Sequence, residues 1–484
     1  TPGIYYEDPI SVLDFASLYP QSIREKNMSH ETFIATKEEI DANPSNYTWM
    51  KHIDVNEISY DDYIYETRGK TTHKLKADTQ TTCYFASQKK NQSKGIIPLI
   101  LETLLDQRKK TRKLIKMTDD VAKQKVLDGL QLAYKVTANS VYGQMGARTS
   151  SIFFKKIAAC TTSIGRQRIY DAKDGVVQWA EANNYHKPEV VYGDTDSVFV
   201  KFSRRHHETN ELLTGKEALQ YCIDCGIKAG EWITKEKLNI GLENGPQDLE
   251  YEKTFYPFIL ISKKRYTGDK YEYTSDKPKE RTSMGIVMKR RDNAPIVKYV
   301  FGNVIERIMN LKDIDISINW LEQTLQKIID GKMDTSMFII SKSLSGYYKN
   351  PKGIAHKVLA DRMGDRNPGN KPKPNDRIPY IYIPVEEYEP SGKFHMTTKR
   401  VQNGVYKNGK PKYKTVKEKG KEKLKKKKVL QGDRIEHPDF IKENKLNIDY
   451  KFYISNQIMN PVKQVLDLVK SEEETTKFFQ RFIQ

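Results

Sequence analysis

Two carboxylates, Asp194 and Asp196, stand two residues apart in Tyr192-Gly193-Asp194-Thr195-Asp196-Ser197. The flanking runs Val190-Val191 and Val198-Phe199-Val200 are β-branched and aromatic, and Gly193-Asp194 is a turn-forming pair, so the segment reads as a tight hairpin with acids at its tip. Strand alternation points both acids to the same side, where they repel unless a cation lies between or beside them. A solvated, Asp-rich surface turn is the competing reading. A third acid, Asp14, ends the apolar run Ile10-Ser11-Val12-Leu13. An Asp at the end of a buried strand is costly to desolvate unless it is paired, hydrogen-bonded or bound to metal, although capping the segment that follows is an alternative role.

Complementary charge comes from two helix-compatible stretches. In the first, Pro98 suits the opening turn and Leu101, Leu104 and Leu105 form an apolar stripe. The same stretch continues through Arg108, Lys109, Lys110, Arg112 and Lys113, and Thr118-Asp119-Asp120 punctuates the chain before it returns. The second begins near Val126 and closes with Lys135-Val136-Thr137-Ala138-Asn139-Ser140-Val141-Tyr142-Gly143. Lys135, Asn139 and Tyr142 share one face of that helix, and Arg108 and Arg112 share one face of the other. Two antiparallel helices with cations facing each other make a cradle for a triphosphate, Arg offering forked donors and Lys a compact charge. Lys109 and Lys113 read as a solvated face.

These segments, in this order, resemble the family B DNA polymerases. Asp14-Phe15-Ala16-Ser17-Leu18-Tyr19-Pro20 is similar to that family's motif A, Lys135 to Gly143 to its motif B, and Tyr192 to Ser197 to its motif C. Lys94-Gly95-Ile96-Ile97-Pro98, Leu249-Glu250-Tyr251-Glu252-Lys253, Ser262-Lys263-Lys264-Arg265-Tyr266 and Arg290-Arg291-Asp292-Asn293 resemble polymerase delta and its relatives in large DNA viruses. Leu359-Ala360-Asp361-Arg362-Met363 with Arg377-Ile378-Pro379-Tyr380 resembles the thumb of the same group.

The resemblance implies an α+β right hand with an antiparallel-sheet palm, helical-hairpin fingers and a mostly helical thumb. Its parts would be residues 1–84 as palm with motif A and an insertion, 85–143 as fingers, 144–295 as palm with motif C, and 296–484 as thumb with a lysine-rich insertion. It implies DNA-dependent DNA synthesis, with two Mg²⁺ ions (Mn²⁺ able to substitute) roughly 3.5–4 Å apart on Asp14, Asp196 and the Phe15 carbonyl. Asp194 would be a secondary ligand, and Glu250 or Glu252 a peripheral carboxylate or a partner of nearby lysines. Ser17, Leu18, Arg108, Arg112 and Lys135 would bind the nucleotide, with Lys135 protonating the leaving pyrophosphate. Tyr19 would bar the 2′-hydroxyl, and Asn139 and Tyr142 would line the nascent base pair. Gly143, Thr195, Lys264, Arg265, Tyr266, Arg290 and Arg291 would contact primer-template DNA.

Among 484 residues, 82 Lys and Arg face 63 Asp and Glu, a formal charge of +19. Such a balance suits a partner with a phosphate backbone, since each neutralised phosphate releases condensed counterions. Four cysteines argue for a reducing compartment. Cys222 and Cys225 are spaced like half a zinc site but lie in a helical-looking segment without a second pair, which favours a core role. No apolar run reaches the ~18 residues of a membrane span, so a soluble, intracellular protein is expected, at a nuclear or cytoplasmic replication site if viral.

Residues from about Ala35 to Cys83 read as a polar, aromatic-rich, irregular insertion. The basic stretch Lys407 to Lys428 is expected to stay mobile until it meets phosphate, as a duplex clamp, an import signal or a solubility device. Phe478-Phe479 would dock a sliding clamp or simply end an amphipathic helix. Thr1 is not an initiator methionine and motif A follows within a dozen residues, so a fragment, cleaved product or split gene is expected. No Asp-x-Glu exonuclease signature is identified, and proofreading is expected to be absent, with the N-terminal exonuclease region missing or carried by a separate chain.

Overall fold

The structure is a computed structural model that describes residues 1–69, 71–88, 93–239, 245–289, 293–385, 388–405, 407–426 and 429–483. It divides into two compact units, Thr1–Thr282 and Ser283–Gln484.

The first unit runs through β1 (Gly3–Tyr5), β2 (Ile10–Phe15), α1 (Leu18–Glu25), β3 (Phe33–Thr36), α2 (Lys37–Ala42), β4 (Val55–Arg68) and β5 (Thr71–Ala86). It continues through α3 (Ile96–Lys116), α4 (Val121–Gly146), α5 (Lys155–Ala182), β6 (Glu189–Asp194), β7 (Ser197–Lys201), α6 (Gly215–Ile233), β8 (Leu249–Ser262), β9 (Arg265–Tyr271) and β10 (Glu280–Met284). Seven strands form one sheet in the order β10-β9-β8-β2-β7-β6, with β1 pairing to β8. Central β2 lies antiparallel to both β7 and β8 and is buried at every position except Asp14. A strand enclosed on both edges and both faces tolerates polar groups only when they are bonded. Ser11 obeys this, with its hydroxyl 2.9 Å from Thr254 Oγ1 and 3.1 Å from the Cys222 carbonyl.

Alternation along β2 and β7 sends Leu13, Val198 and Val200 towards Ala172, Val176 and Trp179 of α5 and Leu219, Cys222 and Ala229 of α6. Ile10, Val12 and Phe199 face the opposite way, into an aromatic cluster with Phe255, Phe258 and Tyr266. Cys222 and Cys225 are buried in the first of these cores, and burial pushes both thiols up, Cys225 to about 12.

Three local expectations are corrected here. The β6–β7 register pairs Asp194 with Ser197 and Gly193 with Val198, so Thr195 and Asp196 form the two-residue turn, not Gly193-Asp194. The apolar pairing of the flanks sets where the hairpin closes, and Thr195 takes the left-handed conformation, φ 54°. The helix carrying Lys135 starts at Val121, because Asp120 caps it by accepting from the Ala122 and Lys123 amides. The segment from Ala35 to Cys83 is not irregular but a sheet in the order β3-β5-β4. Its outer length faces water, Tyr65 being 69% exposed, and so lacks the hydrophobic alternation that reveals a strand. Its root is buried: Ile58, Cys83 and Phe85 pack with Ile97, Leu101, Met145 and Ile157. Arg166 also pairs with Asp61 at 2.8 Å.

The second unit contains α7 (Pro295–Leu311), α8 (Ile314–Ile329), β11 (Ile340–Ser343), α9 (Ala355–Arg366), β12 (Arg377–Tyr382), β13 (Tyr388–Val405) and β14 (Pro411–Lys426). It ends with β15 (Ile435–Glu436), α10 (Pro438–Asn444), α11 (Tyr450–Tyr453), α12 (Met459–Leu466) and α13 (Glu472–Ile483). Besides the expected helices it holds a β11-β12-β15 sheet and a separate β13-β14 ribbon. Most of the basic stretch expected to be mobile is strand β14 of that ribbon, while Lys427 and Lys428 lie outside the described residues. The register explains how such charge is tolerated: Lys399 faces Val416, Val401 faces Lys414, and Thr398 faces Lys417, so cations oppose neutral residues. At the other end Phe479 is fully buried in α13, which makes it core and not a docking residue.

Candidate active site

Strand β2 delivers Asp14 to the end of the sheet, opposite Ser197 of β7 on one side and Glu250 of β8 on the other. The pairing of β2 with β8 jumps from Val12–Lys253 to Leu13–Tyr251, leaving Glu252 as an extra, bulged residue. A bulge re-aims a side chain, and Glu252 acts electrostatically on both Asp14 and Asp196. It also pairs with Lys253 at 3.0 Å. Asp196 is fixed from the main chain: its carbonyl accepts from the Phe15 amide at 2.8 Å, and its own amide donates to the Asp194 carbonyl at 2.6 Å.

Electrostatic strain concentrates on these acids. Burial first, then Asp196 and Glu252, raise the Asp14 carboxyl to about 7, with Lys253 and Lys135 opposing. Asp196 is raised too, mainly by burial, with Asp194 and Glu252 adding to it. Asp194 has a partner of its own, Lys264 Nζ at 2.6 Å. That ion pair raises the ammonium of Lys264, whose amide donates to the Tyr192 hydroxyl at 2.8 Å. Lys264 thus offsets the charge of Asp194 only in part, since Asp194 still adds to the shift of Asp196, and Asp196 in turn raises Asp14.

One cavity of about 400 Å³ gathers most of the residues singled out in the sequence. Asp14, Phe15, Ser17, Leu18, Tyr19, Thr195, Asp196, Glu250 and Glu252 line it from the sheet end and the start of α1; Arg108, Arg112, Lys135 and Asn139 line it from α3 and α4. These helices form the antiparallel hairpin, with Ile97, Pro98 and Leu101 buried at the root of α3 and Ala138 and Met145 on α4. Arg108 Nε donates to Gln131 Oε1 at 3.4 Å, and burial and the neighbouring Arg112 lower its guanidinium. Tyr19 stacks obliquely on Tyr142, ring centroids 4.6 Å apart. The ring also abuts Gly165 of α5, where a Cβ would lie 2.7 Å from Tyr19 Cε1, so only glycine leaves the ring this position.

Other expected residues fall elsewhere. Gly143 is exposed on α4, outside the cavity lining. Tyr266 is 6% exposed within the aromatic cluster under the sheet, so its ring is not presented to a duplex, unlike the exposed ammonium of Lys264. Arg265 opens β9. Arg290 and Arg291 lie outside the described residues. Asp248 was missed: its carbonyl accepts from the Ala16 amide at 2.9 Å, and burial raises its carboxyl. Asp248-Leu249-Glu250 is an Asp-x-Glu triplet, which corrects the expectation that the sequence holds none; it lies at the start of β8, beside the cavity that Glu250 lines.

Among the described residues, no three His, Cys, Asp or Glu side chains cluster tightly enough to hold a metal ion by themselves, and no helix is long and apolar enough to cross a membrane. In kind, two strained carboxylates and a main-chain carbonyl fit a hard divalent cation, whose charge offsets the repulsion between them.

The family model described as DNA polymerase family B matches residues 2–469. The chain is similar to a DNA polymerase of Pyramimonas orientalis virus, 41% identical over 511 aligned residues that cover 96% of this chain and 37% of the relative. A DNA polymerase of Acanthamoeba polyphaga mimivirus is 41% identical over 305 residues, covering 63% of this chain and 15% of the relative. A DNA polymerase delta catalytic subunit of Candida albicans is 31% identical over 473 residues, covering 97% and 37%. The chain therefore spans well under half the length of these relatives. With the match running through the strand ends, the helical hairpin and most of the second unit, the chain belongs to DNA polymerase family B.

Proposed function

We propose that the chain carries the polymerising centre of a DNA-dependent DNA polymerase, transferring deoxynucleotides to a primer 3′-hydroxyl in viral DNA replication. The observation that carries this is the single cavity in which Asp14 and Asp196 meet Arg108, Arg112, Lys135 and Tyr19. The seven-stranded sheet is read as palm, the α3–α4 hairpin as fingers and the second unit as thumb. Two viral relatives named DNA polymerase support the replication context.

Asp14, Asp196 and the Phe15 carbonyl would hold Mg²⁺, or Mn²⁺ in its place; when bound, such ions neutralise phosphate charge and lower the pKa of the attacking hydroxyl. The chain's own groups position and neutralise, which is nearly all that phosphoryl transfer asks of a protein. Arg108 and Arg112 grip the triphosphate of the incoming nucleotide by charge-assisted bonds, and Lys135 donates a proton to the departing pyrophosphate. Asn139 and Tyr142 line the nascent pair. Tyr19, packed against Tyr142 and Gly165, fills the space a 2′-hydroxyl needs. Thr195, Lys264 and Arg265 hold the primer-template backbone, sequence-independent contacts that weaken steeply with salt. Asp194 serves chiefly to anchor Lys264.

The test is extension of a labelled primer on a DNA template with four dNTPs and Mg²⁺. Wild-type extension that falls by about a thousandfold or more in Asp196→Asn is expected. Equal binding of primer by both proteins with no extension by either would sink the reading and favour a scaffold.

A further inference from the structure

A second cavity, about 780 Å³, opens on the other side of Arg108 and Arg112. The two cavities share Ala16, Ser17, Arg108, Arg112 and Glu250 as a common wall, while Asp14 and Asp196 line only the first. The second is strongly basic: its seven Lys and Arg side chains outnumber its three acids. Lys109, Lys113 and Lys116 enter it from α3, and Lys235, which also pairs with the exposed Glu236 at 3.1 Å, from the turn that follows α6.

Helix α3 changes electrostatic character along its length. Near its start, Glu102 pairs with Lys94 at 2.6 Å and Arg24 at 2.8 Å. Past Asp106, none of Arg108, Lys109, Arg112, Lys113 and Lys116 makes an ion pair with a described residue. Like charges at i, i+4 destabilise a helix, and a solvated face would scatter acids among them, as the first half does. Asp248 and Glu250 of the same lining act on Lys109 and Arg108, yet the cations converging there exceed them in number and match a small, highly charged anion, which offers several oxygens to several donors at once.

On the polymerase reading, on which this rests, the group freed at Arg108 and Arg112 is pyrophosphate. We propose that the second cavity is a binding site for inorganic pyrophosphate, which leaves the active site through it once the phosphodiester bond has formed. Arg108 and Arg112 hold the anion from one side, and Lys109, Lys113, Lys116 and Lys235 take it over from the other. The reverse reaction, in which pyrophosphate attacks the terminal phosphodiester to give a dNTP and a primer shortened by one, would load through the same site.

The experiment compares wild type with a Lys113→Gln, Lys116→Gln, Lys235→Gln variant. A second variant with equal charge loss outside the lining, Lys110→Gln, Lys123→Gln, Lys125→Gln, is the control. Calorimetry with pyrophosphate on DNA-free protein reads the site without catalysis, and product inhibition and primer shortening by pyrophosphate read it in turnover. The first variant should bind pyrophosphate about tenfold more weakly, with a matching rise in the KM for primer shortening. Its single-turnover incorporation at saturating dNTP should be unchanged, which also shows that it folds. Should the triple variant fail to fold, Lys116→Gln and Lys235→Gln alone are each expected to weaken binding about twofold. Affinity and inhibition equal to wild type, or an equal loss in the control, would overturn the proposal. Wild-type protein that binds pyrophosphate through these lysines yet extends no primer would leave the anion site standing and remove the polymerase reading instead.

Discussion

Asp14 sits near the end of β2 and Asp196 in the β6–β7 turn, both with backbone bonded at the end of the sheet, whereas Arg108, Arg112 and Lys135 project from a hairpin with few buried residues beyond its root. Both regions concentrate charge of one sign, and the molecule pays for it differently. The acids are desolvated and close, so the cost surfaces as a raised Asp14 carboxyl near 7. The cations reach in from helices on long side chains: Arg112 and Lys135 stay exposed to water, while Arg108 is half-buried and its guanidinium is lowered by burial and by Arg112. The acids are thus held by main-chain bonds within the sheet, and the cations by long side chains on a hairpin buried chiefly at its root.

Removing a charge from the helical side should therefore weaken capture and leave the sheet intact. Arg108→Ala is expected to raise the KM for dNTP by about 10- to 100-fold, the worth of a charge-assisted hydrogen bond, with the melting temperature moving little. A melting temperature that fell along with affinity would erase the contrast. Between the two charged regions lies a neutral one governed by shape. Gly165→Ala should push Tyr19 off its position and lower discrimination against ribonucleotides by about tenfold, with the salt dependence of DNA binding unchanged. Steady-state comparison of dNTP and rNTP incorporation reads this, and intact sugar selectivity would show that Tyr19 is not the barrier.

The smallest effect sharpens the acidic side. Because folding raises the Asp14 carboxyl from its ordinary value to about 7, it favours the protonated form. Its stabilising contribution is complete below about pH 4 and is lost as pH rises to about 7. Without divalent cations, Asp14→Asn should match wild type at the acid end and melt about 2 °C or more higher at pH 8, and excess Mg²⁺ should close that gap. A wild-type curve parallel to that of the variant across this range would mean that Asp14 is not strained.

Legibility followed the range of the interactions. Asp14, Asp196, Lys135 and Arg108 stood out because each is a costly residue inside a regular local pattern, and strand ends and helix faces follow from local periodicity. What the sequence hid was set at long range. That Lys264 would pair with Asp194 depends on β9 folding back against the hairpin tip, and the bulge at Glu252 exists only in the pairing of β2 with β8. Tyr266 reads as an accessible aromatic beside basic residues, yet strand alternation turns it into the sheet core. The ribbon of β13 and β14 was masked by its lysines, whose neutral partners lie across the strand and not beside them in the chain. The neighbouring basic cavity was invisible for the same reason, since Lys235 joins α3 from more than a hundred residues away.

The bond from the Phe15 amide to the Asp196 carbonyl fastens the end of β2 to the β6–β7 turn through main chain alone. No substitution of either carboxylate can undo it. Replacements at positions 14 and 196 are consequently fitted to the same jig, and their activities can be compared at constant spacing. For a lineage, the frame outlives the side chains: a copy that loses either acid keeps the bond that spaced the two.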